Sequence, residues 1–288
     1  MSTTTATSPA ELVTSLPKLS HLGPGRTRLV QAFGAELVTL PGPAVAALEG
    51  IARCERERHS LVLADPGIAH ADYTAAVVRA IAEGDAVPEA DLVVEMERRA
   101  RVQGLQLNAL TAATDSFVNR LEAALANGEA LVVEHLRPAL TKRYAQARSL
   151  LDEHGPALAG PAEAVVTAPA ALGKAWATFG KLATEVSTLR TVQADVSIVE
   201  RDEGDFLMTP ADPRDPRLWG AGYGARHRTA QRPWPTDPRG YLGWLLSSGL
   251  PVWVPTGRER DARWEEVFGK PTGNLSRVGG PGDDVNLR

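Results

Sequence analysis

Between Pro88 and Asn127 the chain contains no proline and, apart from Gly104, no glycine, so nothing there obliges a helix to stop. Through this stretch runs a three-four spacing: Val93, Met96, Ala100, Gln103, Leu107, Leu110, Thr114, Phe117, Leu121 and Ala124. Such a seam predicts one helix of about 40 residues, roughly 60 Å long at 1.5 Å per residue. Pro88 suits a first helical turn, where its missing N–H costs nothing, and Glu89 and Asp91 suit the positive end of the helix dipole. Asn127-Gly128 reads as the break that ends it.

A second helix is expected from there to Asp152 or Glu153, closed by His154-Gly155-Pro156. Val133, Leu136, Leu140, Ala147 and Leu150 continue the spacing, with Arg143 the exception. Pro138 should kink or divide this helix near His135. Pro169 opens a third helix with the seam Leu172, Ala175, Phe179, Leu182, Val186, Leu189, Gln193, Val196. Each large seam side chain taken out of water contributes roughly 1.5 to 3 kcal/mol, far more than exposed ion pairs add. The fold expected is therefore mainly α: an antiparallel three-helix coiled-coil-like bundle over residues 86–200. The polar seam members Gln103, Thr114 and Gln193 either fix register at some cost in stability, as in coiled coils, or, the reading preferred here, sit near the seam edge and reach solvent. Gly173, Ala177 and Gly180 form a small-residue stripe that leaves room for a close approach, or else simply weakens the helix by about 1 kcal/mol per glycine.

Around this core four further zones are expected. Residues 1–25 read as a flexible N-terminal tail, Ser/Thr-rich at Met1 to Ala10 and unlike a secretory signal. Residues 26–85 read as a small helical region, with helices over Pro43 to His59 and Asp72 to Glu83 and room for a short strand at 36–40 or 61–64. Residues 201–270 hold most of the tryptophans, five of the six, and much of the proline. That aromatic content argues for an irregular but ordered segment. Asp237-Pro238 to Gly249 and Arg258 to Phe268 mark two short helices in it, and Val252-Trp253-Val254 between Pro251 and Pro255 suggests an edge strand. Residues 271–288 read as a disordered tail.

Composition narrows the functional classes. Hydrophobic residues at 43% and charged residues at 23% exclude a mainly disordered, collagenous or membrane-embedded chain, and the longest apolar runs fall far short of the roughly 18 residues of a membrane span. A net charge of −4 argues against a surface built throughout for nucleic acid. The single cysteine, Cys54, excludes an internal disulfide and a multi-cysteine zinc site. The histidines at 21, 59, 70, 135, 154 and 227 show no metal-ligand spacing, so neither metal nor cofactor is expected. Cys54 and His59 lie on different faces of a helix, with no oxyanion-hole motif beside them. Gly220-Ala221-Gly222-Tyr223-Gly224 lacks the strand, helix and Gly-Lys-Ser/Thr of a phosphate loop. The acids Asp202, Glu203, Asp205, Asp212 and Asp215 read as solvated loop charges.

One constellation stands out. Arg214, Arg217, Arg226, Arg228, Arg232 and Arg239 are interleaved with Trp219, Tyr223 and Trp234. Guanidinium forks and aromatic faces grip phosphate and stack bases, anchor protein interfaces, or pack on one another within a chain. The candidate partner-binding residues are Trp219, Tyr223, Arg226, Arg228, Arg232 and Trp234; no catalytic residue is assigned. The function expected is that of a non-catalytic structural, assembly or protein-interaction protein with a protein partner or self-association, in the cytoplasm or in a virion. Its arginine- and alanine-rich style matches GC-rich coding, as in actinobacteria or their phages, so a phage or prophage virion or assembly component belongs to this class. The alternatives are a nucleic-acid-binding accessory protein acting through 214–239, and an enzyme whose site, around His227 and the acids at 202–205, is assembled from distant residues.

Overall fold

The computed structural model describes residues 8–14, 22–61, 66–165, 169–197, 235, 237–250 and 252–268. It is mainly α, with no strand among the described residues. The helices are α1 (Pro9–Thr14), α2 (Gly23–Gly34), α3 (Gly42–Ser60), α4 (Pro66–Glu83), α5 (Asp91–Ala124), α6 (Gly128–Ala130), α7 (Arg137–His154), α8 (Ala170–Val196), α9 (Pro238–Ser247) and α10 (Gly257–Phe268). They fall into two compact units that divide after Ala126, at the Asn127-Gly128 break; within α2, residues 24–32 count with the second unit and Phe33 onward with the first.

In the first unit α5 is the long rod that the seam predicts, 34 residues instead of about 40. Every one of the ten seam positions is buried or half-buried, Val93, Thr114 and Leu121 most deeply. Its start differs. Pro88 lies outside, in the connection 84–90, and the helix begins at Asp91. Gly84 fixes the other side of the gap: it takes φ +76, and the Asp85 N–H closes back onto the Ala80 carbonyl at 2.8 Å, which ends α4. The helix α3 covers the C-terminal half of α5. A Cβ on Gly50 would come within 2.5 Å of the Phe117 ring, so the bare glycine is what lets that ring lie on α3. Thr114 is buried, not solvent-facing; its hydroxyl donates to the Leu110 carbonyl at 2.9 Å, which satisfies it without water. The N-terminal half of α5 packs on α4, which starts at Pro66, earlier than Asp72. The segment 36–40, a candidate strand, is instead turn and bend, with Glu36 at φ +58; residues 62–64 lie outside the described set.

The second unit begins with Asn127, whose side chain accepts from the Ala130 N–H at 3.1 Å. The break expected near His135 takes the form of a π-helical turn, Leu131–Leu136, immediately before α7 with Pro138 in its first turn. Proline has no N–H to give and its ring crowds the carbonyl four residues back, so a widened turn accommodates it. Gly155 ends α7 at φ +81, and Pro169 caps α8, both as read from sequence. Leu140, Tyr144 and Ala147 of α7 are buried, as are Phe179, Leu182, Val186 and Leu189 of α8, the helix on which α7 packs. Arg143, the break in the α7 seam, is buried and donates to Glu185 of α8 at 2.8 Å. Asp237 caps α9 as expected, accepting from Gly240, and Leu242, Leu245 and Leu246 bury its inner face. The packing does not confirm a three-helix bundle: within its unit α5 pairs with α3 and α4, while α8 pairs with α7 and α9.

Candidate functional site

Trp219, Tyr223, Arg226, Arg228, Arg232 and Trp234, together with Arg214, Arg217 and His227, lie outside the described residues, as does the acidic turn at 202–205. Of the arginine-aromatic constellation, Arg239 is described. Its guanidinium lies 3.4 Å above the ring of Trp176 and donates to the Trp176 carbonyl at 3.1 Å. Burial lowers its pKa from the ordinary value, and the nearby Asp237 carboxylate offsets part of that. This arginine therefore packs within the unit.

The segment between α9 and α10 is held in a different manner from the expected edge strand. Three successive carbonyls accept from side chains: Trp253 from Arg190 at 2.7 Å, Val254 from Arg137 at 3.0 Å, and Pro255 from Gln193 at 2.7 Å. With its oxygens committed to side chains, the segment forms no ladder. Gln193 is accordingly buried instead of reaching solvent, and its own carbonyl oxygen accepts from Arg190 at 2.7 Å. Arg190 is 3% exposed, and its three hydrogen-bond acceptors are all neutral: Tyr144 Oη, Gln193 Oε1 and the Trp253 carbonyl. Thr256 and Glu259 cap α10 reciprocally, Glu259 N–H to the Thr256 hydroxyl at 3.1 Å and Thr256 N–H to the Glu259 carboxylate at 2.8 Å. That Thr-x-x-Glu signal is present in the sequence and predicts the helix start one residue earlier than Arg258.

Beside this segment lies an open cleft of about 600 Å³ lined by Arg137, Thr141, Trp253, Glu259, Arg263 and Glu266, among others. Both arginines are already paired, Arg137 with Glu259 and Arg263 with Glu266, each at 2.5 Å. An incoming anion would have to displace a carboxylate that is already in place, which makes the cleft a poor phosphate or carboxylate site.

The described cysteine and two of the described histidines are held as follows. Cys54 is buried, and His59 Nδ1 lies 2.7 Å from the Glu55 carbonyl in its own helix. Thr39 Oγ1 lies 2.9 Å from His135 Nδ1, but no described carboxylate is bonded to that imidazole to orient it as a base. No group of three or more metal-ligating side chains occurs among the described residues, and no described helix is long and apolar enough to cross a membrane.

The first unit carries the feature that the sequence reading missed. Val78 and Ile81 of α4, Val87 of the connection, and Val94, Val102 and Leu105 of α5 are 46–67% exposed. At 100° per residue, Val94, Val102 and Leu105 fall within about 80° of one another and roughly half a turn from the buried seam. The N-terminal half of α5 thus has a second, outward apolar stripe. The signal was in the sequence, at spacings of eight and three, but the longer seam masks it. No family model, curated protein or solved structure matches the chain.

Proposed function

We propose that the chain is a non-catalytic protein-interaction module whose contact surface is the hairpin of α4 and the N-terminal half of α5. The observation that carries this reading is the outward stripe Val94, Val102, Leu105 on a helix whose other face already packs in the unit. Single exposed apolar residues are ordinary, whereas a row of them along one helix face is a cost unless something covers it. Assembly factors and virion components are within this class. The polar character of the cleft and the paired state of its arginines favour it over a small-molecule enzyme.

The test is a photo-crosslinking amino acid placed at Leu105 in the full chain inside its native cells. Ala123, exposed near the far end of the same helix, serves as the control position. Protein adducts at 105 in excess of those at 123 are expected. Equal, background labelling at both positions would contradict the reading.

A further inference from the structure

We infer that the partner of this hairpin is a second copy of the same chain, docked antiparallel about a twofold axis at the level of residue 96. The inference rests on the interaction reading above and names the occupant of its surface. The charge pattern along the hairpin is what selects a second copy. Its tip is acidic: Glu83, Asp85, Glu89 and Asp91 follow one another with no base among them, and none of the four has an ion-pair partner among the described residues. Further along α5 come Arg98, Arg99 and Arg101. Arg98 and Arg99 are engaged by Glu95 at 2.9 and 2.8 Å, while Arg101 is exposed and makes no described ion pair.

The outward stripe reads Asp91, Val94, Arg98, Arg101, Val102, Leu105, six residues within about 100° of arc. It is acidic at one end and basic towards the other, so a parallel copy would set acid on acid. An antiparallel copy sets Asp91 against the partner's Arg101 twice, by symmetry. The same register brings Leu105 to the level of the partner connection that carries exposed Val87, and Val102 to that of Ala90. At those levels apolar meets apolar and acid meets base; nearer the axis Val94 falls level with the partner's Arg98, whose charge is already paired by Glu95 of its own helix and whose aliphatic stem covers the valine. The contact is much smaller than the roughly 20 to 30 residues a side of a standard interface, which makes the dimer weak and concentration-dependent.

Sedimentation equilibrium of the full chain tests this from about 1 μM to about 1 mM, the span over which a weak complex passes from apart to together. Monomer is expected at the low end and dimer at the high end. Asp91→Arg and Arg101→Asp should each raise Kd by about tenfold or more, because each replaces two attractions with two repulsions. The double variant D91R/R101D should return Kd to within about threefold of the parent, since it restores the pairs in reverse. Helical circular dichroism of each variant separates lost docking from lost folding, and Leu105→Asp provides a second route to the same loss. A strictly monomeric parent, or a dimer indifferent to both single reversals, or a double variant no better than the singles, would overturn the inference. If the parent is monomeric while Leu105 still crosslinks another protein in cells, the choice of partner fails alone; if neither occurs, the interaction reading fails with it.

Discussion

The guanidinium of Arg239 lies 3.4 Å above the ring of Trp176, on a stretch of α8 kept bare by Gly180. A Cβ at position 180 would come within 3 Å of that guanidinium, so the glycine makes room for a side chain, where the stripe Gly173, Ala177, Gly180 had suggested a close helix approach. Gly173 has open space where its Cβ would be. Gly180→Leu should therefore destabilise the chain by about 1 to 3 kcal/mol through overpacking and loss of the cation–π contact. Gly173→Ala should stabilise it by up to about 1 kcal/mol through helix propensity. Urea unfolding of the two variants checks both signs.

Arg190 holds Tyr144, Gln193 and the Trp253 carbonyl together from a buried position. Arg190→Met keeps most of the volume but leaves those three polar groups without their donor. A loss of about 3 kcal/mol is expected, and hydrogen exchange should quicken first at residues 252–256. A loss under about 0.5 kcal/mol, typical of an exposed site, would show that the clasp does not hold the segment.

Loss of water raises the Tyr241 phenol well above its ordinary 10, an effect that nearby Arg190 only partly offsets. The folded state thus prefers the neutral phenol. Its contribution is fully present below the unfolded pKa near 10 and is lost as pH rises towards the folded value. Above pH 10 stability should fall by up to about 1.4 kcal/mol per pH unit from this group. Tyr241→Phe should flatten that alkaline slope in pH-dependent urea melts, whatever it does to stability at neutral pH.

Hydrogen bonds from Arg98 and Arg99 hold the Glu95 carboxyl down at about 2, against an ordinary 4.5. Its stabilising effect is present above 4.5 and fades as pH falls towards 2; because the group is exposed, the effect shows in titration more than in unfolding. Carboxyl NMR should give a midpoint near 2 in the parent. Replacing both arginines with Ala should bring it up towards 4.5.

Local punctuation and periodicity account for what the sequence disclosed. Asn127-Gly128, Gly155-Pro156, Pro169 and Asp237-Pro238 act within a few residues of themselves, and each terminus appears where those residues require it. The α5 seam also appears in register, because 3.6-residue geometry is intrinsic to the helix. Which helix meets which is not local: the seam alone names no partner, and within its unit the completed packing supplies α3 and α4. Gln193 looks like a solvated seam residue until Pro255, far along the chain, supplies a carbonyl for its amide. Val252 to Val254 read as a strand because propensity cannot register that Arg190 and Arg137 take the carbonyls first. The outward stripe went unread because Val94, Val102 and Leu105 are few and are separated by arginines, a pattern that resembles an ordinary solvated face. The arginine-aromatic residues from Trp219 to Trp234 lie outside the described residues.

The most direct measurement is hydroxyl-radical footprinting of the full chain, comparing living cells with the purified protein at high dilution. Val94, Val102 and Leu105 should be labelled several-fold less in cells, while exposed residues on the C-terminal half of α5 are labelled alike in both. Equal labelling of the stripe in the two conditions would contradict an interaction surface on this hairpin.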